Sequence, residues 1–98
     1  MTWGVTKNFK CKETEKIFHC VFSRKLPQNI QKVALRKLEM IDSAVELNDL
    51  KVPPANRLEA LKGSRKGQYS IRINDQWRVC FEWERGDAFN VEIVDYHK

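Results

Sequence analysis

The fold is decided by a stretch in which apolar and polar residues alternate, YSIRINDQWRVCFEW at positions 69–83. Apolar residues occupy alternate positions on both sides of Asn74-Asp75, a pair typical of tight turns. Because successive side chains of a strand point to opposite faces, this pattern predicts two half-buried strands joined by a short turn. Arg72 and Arg78 fall at polar positions, so we expect both on the face that points away from the core.

The same pattern continues on both sides of this hairpin. A further strand follows the turn at 85–87, and a short strand at 58–61 precedes a glycine-bounded turn at 63–67. Three consecutive strands with short connections favour an antiparallel meander. Trp77 and Trp83 share the apolar face of their strand, so we expect both in the core.

The first half of the chain predicts one more strand and two helices. The strand covers 5–10 and the first helix covers 13–22, while the second helix runs from Asn29 to about Ala44 with Asn29 as its N-cap. Lys37 lies outside the apolar stripe of that helix, and the proline-containing segment 51–56 must be a loop. The order β-α-α-β-β-β-β predicts one α+β domain over residues 1–98, with both helices on one face of a mainly antiparallel sheet.

Length and composition exclude several classes of protein. The chain has 98 residues and a net charge of +5, with no apolar run near the roughly 18–20 residues of a membrane helix. Its N-terminus lacks the pattern of a secretory signal, so we expect a cytoplasmic protein with no membrane partner. Cys11, Cys20 and Cys80 do not have the spacing of zinc ligands, and we expect reduced thiols and no metal site.

Basic residues are concentrated between positions 57 and 81, where the sequence has six basic and two acidic residues. Placed on the predicted strands, they form a plausible phosphate-binding surface. Charge alone is equally compatible with the solvated face of a basic protein. The six bases are Arg57, Lys62, Arg65, Lys66, Arg72 and Arg78.

The last strand ends in the sequence Asp95-Tyr96-His97. RNA cleavage by attack of the 2′-hydroxyl on the adjacent phosphate needs no metal or cofactor. It needs a group that deprotonates the hydroxyl, cations that stabilise the phosphorane, and a donor for the leaving 5′-oxygen. Histidine and tyrosine transfer protons, and aspartate orients histidine. From the residues alone, a terminal Tyr-His is more often a frayed strand end than a catalytic pair.

Three segments resemble the HigB toxins of bacterial type II toxin–antitoxin systems, which belong to the RelE-like superfamily. The segments are RLEALKGSRKG at 57–67, SIRINDQWRVCF at 70–81 and VEIVDYH at 91–97. The resemblance extends over essentially the whole chain. It implies a compact ribonuclease that cleaves mRNA in the ribosomal A site. It also implies neutralisation by a HigA-like helix-turn-helix antitoxin, through which the toxin contacts operator DNA indirectly.

The resemblance implies roles for five residues. Lys62 matches a phosphate-binding lysine, and Arg78 matches a basic residue of the active-site hollow, so both would stabilise the phosphorane. Asp95, Tyr96 and His97 match a C-terminal group required for cleavage. Tyr96 and His97 would share positioning and proton transfer, while Asp95 would orient His97.

The sequence leaves two interpretations open for each of two further residues, Glu59 and Arg72. Glu59 stands where some family members have histidine, and it is either a base or an ion-pair partner of Arg57 or Lys62. Arg72 is either an active-site cation or the cross-strand partner of Glu82. We expect RNA or ribosome contacts from Arg57, Arg65, Lys66 and Arg72.

Two alternative functions fit the same sequence. The first is a non-catalytic module that binds the ribosome or RNA through its basic face and blocks translation or ribosome assembly. The second is a degenerate toxin that only modulates the DNA binding of its antitoxin. New 5′ ends in mRNA would distinguish the nuclease from both.

Overall fold

The computed structural model describes residues 4–96, and within them two α-helices cover an antiparallel sheet. The strands pair in the order β1-β2-β3-β4, so each connection is a short reversal. The predicted α+β class and the meander are both confirmed. The elements are α1 (Lys12–Phe18), α2 (Gln28–Ser43), β1 (Glu59–Ala60), β2 (Gln68–Arg72), β3 (Trp77–Glu84) and β4 (Asp87–Asp95).

The N-terminal segment lies along the outer edge of β4 and runs parallel to it. Thr6 pairs with Ala88, and Phe9 pairs with Val91. Backbone bonds of 2.8–2.9 Å join the Lys7 and Lys10 amides to β4 carbonyls. The predicted strand at 5–10 is therefore an extended segment held by two separate parallel contacts rather than a continuous strand.

The core lies between the helices and the inner face of the sheet. Ile71 and Val79 sit opposite each other on β2 and β3 and are fully buried, as the alternation predicted. Trp77 and Trp83 pack against this core while remaining partly exposed. Burying each large aliphatic or aromatic side chain contributes about 1.5–3 kcal/mol. The largest buried apolar side chains are Phe81, Ile30, Leu38, Ile41, Leu50, Ile71, Val79 and Val91.

The first helix is shorter than predicted, because α1 ends at Phe18 rather than at residue 22. Cys20 has a positive φ of 64°, and the Val21 amide turns back to the Lys16 carbonyl at 2.7 Å. Such a left-handed residue closes a helix by satisfying its last carbonyls. Val21 and Phe22 are consequently exposed instead of lying on the buried face of a helix.

The start of the second helix also differs from the prediction. Pro27 stands at the N-cap and Gln28 is the first helical residue, so Asn29 lies inside the first turn and does not cap it. Proline is compatible with this place because the first helical amides have no partner within the helix.

The largest departure from the helical pattern is Lys37, which is buried although it lies outside the apolar stripe. Its Nζ donates to Asn56 Oδ1 at 2.6 Å. Asn56 is also buried, and its Nδ2 donates to the Leu50 carbonyl at 3.2 Å. Burial lowers the pKa of the Lys37 ammonium. The predicted loop at 51–56 contains 3-10 turns at its ends, and this bond fixes it to α2 just before Arg57.

We expect Asn56→Ala to lower the free energy of unfolding by about 3 kcal/mol, because it leaves the buried Lys37 ammonium without its acceptor. Asn29→Ala is the matched control. Asn29 is exposed on the same helix that carries Lys37, so the change should stay within about 0.5 kcal/mol. Urea unfolding of both variants measures the difference. Equal midpoints would show that the Lys37–Asn56 bond does not stabilise the fold.

Candidate active site

A cleft of about 410 Å³ opens where the segment before β1, the β2–β3 turn and the end of β4 meet. Five of the residues that line it were predicted as site residues from the sequence. These are Arg57, Glu59, Arg72, Arg78 and Tyr96, and the remaining lining residues are Leu58, Asn74 and Asp75.

Arg78 forms the floor of the cleft and is only 8% exposed. Its Nε donates to Ser70 Oγ at 2.8 Å, and one terminal nitrogen donates to the Arg57 carbonyl at 2.8 Å. The same nitrogen lies 2.9 Å from Glu59 Oε1. Alternation placed Arg78 on the correct face, but the chain at 57–59 folds over that face and buries it. The guanidinium is therefore held in one orientation.

The backbone of Arg57 contributes to this arrangement. Arg57 has a φ of 46°, in the left-handed region, and it directly follows the buried Asn56. Non-glycine residues adopt this conformation at an energetic cost, which the surrounding contacts must offset. The fixed Asn56 and the bond from Arg78 to the Arg57 carbonyl are two such contacts.

Tyr96 closes one side of the cleft. Its ring centroid lies 5.5 Å from Arg78 Cζ, a cation–π distance. The Tyr96 amide donates to the Gln76 carbonyl at 2.6 Å, and Gln76 Nε2 donates to Asp95 Oδ2 at 3.2 Å. These bonds fasten the end of β4 to the β2–β3 turn. His97 lies outside the described residues, so its role stays a prediction.

Arg72 lies directly opposite Arg78 in the register of β2 and β3. Two like charges at this position repel each other. Arg72 forms an ion pair with Asp75, and Arg78 forms its own with Glu59. Of the two interpretations of Arg72, the pairing with Glu82 is wrong, because the register places Glu82 opposite Gln68 and Phe89. An anion between the two guanidiniums would relieve their repulsion.

Glu59 presents a carboxylate at the wall of the cleft. Its side chain is 53% exposed, and its ion pair is with Arg78. Of the two interpretations of Glu59, the ion pair is present but its partner is Arg78 rather than Arg57 or Lys62, and the role as a base stays a prediction. Because the carboxylate is exposed and fixed at the same time, it is available to a ligand in the cleft.

Three predicted basic residues are not among those that line the cleft. Lys62 and Lys66 are exposed at the two ends of the short helical turn Gly63–Arg65. Arg65 bonds to Glu92 Oε1 at 3.1 Å and to Gln68 at 3.0 Å. The six predicted basic residues thus form two groups. One group lines the cleft and comprises Arg57, Arg72 and Arg78, and the other lies at the turn 63–65 and comprises Lys62, Arg65 and Lys66.

Sequence reasoning missed several residues that hold the site. Ser70 fixes Arg78, and Asn74 Oδ1 accepts from the Gln76 and Trp77 amides at 2.8 Å each. The register of β2 and β3 leaves a three-residue loop at 74–76, and it puts Ser70 diagonal to Arg78. Asp75 is three residues after Arg72, which is the spacing of a local ion pair.

Within residues 4–96, no helix is long and apolar enough to cross a membrane. The same part of the chain contains no group of three or more His, Cys, Asp or Glu side chains arranged to hold a metal ion. The three cysteines are free, and burial raises the pKa of the Cys80 thiol.

The family described as "RelE-like toxin of type II toxin-antitoxin system HigB" matches residues 7–97 of this chain. The protein belongs to the HigB-like toxin family. As a toxin of a type II system, it has an antitoxin partner.

Two HigB-like relatives match over most of their length. Toxin HigB-1 of Vibrio cholerae serotype O1 is 45% identical over 75 residues, which cover 76% of this chain and 78% of that protein. Endoribonuclease HigB of Proteus vulgaris is 34% identical over 92 residues, which cover 93% and 98% of the two chains. The crystal structure of YafQ from Escherichia coli BL21(DE3) shares the fold, with a TM-score of 0.53, 14% identity and coverage of 92% and 88%.

Proposed function

We propose that this HigB-like toxin is an endoribonuclease that cleaves mRNA in the ribosomal A site and thereby stops translation. The observation that carries the proposal is the buried Arg78 guanidinium, which lies between the Glu59 carboxylate and the Tyr96 ring at the floor of a cleft. A relative of nearly equal length is named an endoribonuclease. Its place of action is the cytoplasm, where the ribosomes are.

The reaction needs only groups that the chain itself supplies. The 2′-oxygen forms a bond to phosphorus and its proton leaves to a base. The phosphorane collapses with cleavage of the bond from phosphorus to the 5′-oxygen, which takes a proton from an acid. The products are a 2′,3′-cyclic phosphate and a 5′-hydroxyl end, and neither an oxidant nor a metal is consumed.

The geometry of the cleft supports specific roles. Arg78, with Arg72 opposite it, stabilises the negative charge that grows on the phosphate oxygens. Glu59 accepts the 2′-hydroxyl proton, because its carboxylate lies 2.9 Å from the guanidinium that holds the phosphate. A base and a cation at this separation can contact neighbouring oxygens of one nucleotide.

The C-terminal group supplies the acid side of the reaction in this proposal. Tyr96 and His97 deliver the proton to the leaving 5′-oxygen, and Asp95 orients His97. Lys62 binds a phosphate next to the one that is cleaved. Arg57, Arg65 and Lys66 contact RNA or the ribosome, and the antitoxin is a HigA-like helix-turn-helix protein that connects the toxin to operator DNA.

Primer extension on mRNA bound to purified ribosomes tests the proposal. The toxin should generate new 5′ ends within the A-site codon, and no such ends should form on the same mRNA without ribosomes. Inhibited translation without new 5′ ends would contradict it and would favour the non-catalytic inhibitor of the ribosome.

Lys62→Ala should lower kcat/KM for mRNA cleavage by about 10-fold, mainly through a higher KM and with a weaker salt dependence. The reason is that Lys62 is an exposed cation and, in this proposal, acts on the RNA as a phosphate contact. Lys51→Ala, at an exposed lysine outside positions 57–81, is the control and should change kcat/KM less than about 2-fold. Equal changes of kcat/KM in the two variants would show that Lys62 does not contact the RNA.

A further inference from the structure

A second concave surface lies between the end of α1 and the first turns of α2, and it shares no residue with the cleft. We call it the α1–α2 groove. Its volume is about 230 Å³. Phe22 and Val21 form one wall and are 56% and 51% exposed. The groove is lined mainly by Ile17, Val21, Phe22, Gln31, Lys32 and Leu35.

The exposed apolar wall belongs to an ordered segment. The Val21 amide bonds to the Lys16 carbonyl, and the Ser23 amide bonds to Gln31 Oε1 at 3.1 Å. Gln31 Nε2 donates back to the Ser23 carbonyl at 2.7 Å, and Ser23 Oγ donates to Glu13 at 2.5 Å. Because these bonds fix the backbone at both ends of the pair at 21–22, the segment holds its two apolar side chains in a position exposed to water. A fixed apolar surface binds at a lower entropic cost than a mobile one.

The helices and loop that form the groove, positions 12–36, are strongly basic, and one of their bases, Lys32, lines it. Positions 12–36 carry six exposed bases against two acids. One of the acids, Glu13, is already bonded to Ser23 and lies 3.4 Å from Lys16 Nζ. The partner should therefore combine apolar side chains with acidic ones. The six bases are Lys12, Lys16, Arg24, Lys25, Lys32 and Arg36.

An RNA partner fits this surface less well than a peptide. Phosphates would pair with the bases and a nucleobase could stack on the Phe22 ring, but Ile17, Val21 and Leu35 form an aliphatic surface that a polynucleotide would leave uncovered. An amphipathic helix places apolar residues on one side and acids on the other, and it would match both features.

We propose that the α1–α2 groove is the docking site of the antitoxin, which inserts apolar side chains of an acidic amphipathic segment beside Phe22. The inference rests on the proposed function, in which an antitoxin neutralises the nuclease. The basic residues of positions 12–36 accelerate association and make it sensitive to salt, while the apolar wall carries most of the affinity.

The test measures the affinity of purified toxin variants for the cognate antitoxin. Phe22→Ser should raise the Kd by about 30-fold or more. Val45→Ser is the matched control, because Val45 is a 77% exposed apolar residue outside the groove, and it should change the Kd less than about 3-fold. Both variants should cleave mRNA on ribosomes at the wild-type rate.

Several outcomes would overturn the inference. Wild-type affinity in Phe22→Ser, or an equal loss in Val45→Ser, would place the antitoxin elsewhere. Weaker ribosome binding in Phe22→Ser with unchanged antitoxin affinity would assign the groove to RNA. If the wild-type toxin does not cleave mRNA but loses antitoxin affinity only in Phe22→Ser, the proposed function fails while the docking site stands.

Cys20 gives a second measurement, because it lies exposed in the groove lining. Maleimide should label Cys20 at least about 10-fold more slowly in the toxin–antitoxin complex than in the free toxin. Cys20→Ser identifies which labelled peptide reports on this thiol. An unchanged rate in the complex would contradict the docking site, whatever the affinities of the other variants.

Discussion

Arg78→Lys should lower the rate of mRNA cleavage by about 100- to 1,000-fold, which is the loss seen when one fixed donor to a transition-state charge is removed. Lysine keeps the charge but not the planar group that binds Ser70, the Arg57 carbonyl and Glu59 together. The remaining ammonium has no fixed orientation toward the phosphate. Single-turnover cleavage on mRNA-programmed ribosomes measures the effect.

Arg72→Lys is the control for this prediction. Arg72 lies opposite Arg78 in the same cleft, but its ion pair is with the highly exposed Asp75. We expect a loss below about 10-fold, because an exposed ion pair contributes little fixed geometry. Equally small losses in both variants would mean that the cleft supplies only positive charge, because lysine keeps that charge.

Replacing Arg78 also affects stability, because its side chain is largely buried. Ser70→Ala therefore separates the effect on catalysis from the effect on folding. This variant keeps the guanidinium and removes one of the bonds that orient it. Cleavage should fall by about 10-fold at temperatures where circular dichroism shows a folded protein. A full wild-type rate would show that the orientation of Arg78 does not matter.

Glu59→Gln should lower kcat by at least about 100-fold while RNA binds more tightly, so that KM falls. The amide keeps the shape of the side chain but cannot accept the 2′-hydroxyl proton. Removing a negative charge from a cleft that binds phosphate strengthens binding at the same time. A lower kcat together with a lower KM is what the loss of a base produces, whereas a residue that only neutralises Arg78 would give a faster enzyme when removed.

Asp75→Asn is the matched variant for Glu59→Gln. It also removes one carboxylate from the cleft and releases one arginine, Arg72. It should lower KM in the same way and leave kcat within about 2-fold. An Asp75→Asn variant as slow as Glu59→Gln would assign the loss to altered charge rather than to a base.

The alternation in β2 to β4 and the apolar stripe of α2 were sufficient to predict the fold, because both depend on local periodicity. The end of α1 was not predictable in this way. Phe18 and Phe22 have helical spacing, but the chain leaves the helix at Cys20, whose left-handed conformation has no marker such as glycine. The local pattern therefore predicts whether a segment is a helix or a strand better than it predicts the residue at which that element ends.

In the candidate site, too, local pattern predicted some features and could not predict others. Alternation placed Arg78 on the correct face but could not show that residues 57–59 and Tyr96 cover it, since these lie far away in the chain. The burial of Lys37 has the same cause, because its acceptor Asn56 is 19 residues distant. Local pattern predicts that Arg78 and Lys37 face solvent, but contacts with residues distant in the chain bury both of them.

The parallel contacts of the N-terminal segment also affect self-association. Long unpaired strand edges are templates for aggregation. Here the outer edge of β4 is occupied at Thr6 and Phe9, and the opposite edge is β1, which has only two residues. Within residues 4–96, the sheet therefore presents no long free edge to a second copy. A toxin released from its antitoxin should stay dispersed, available to the ribosome instead of accumulating as strand-paired aggregates.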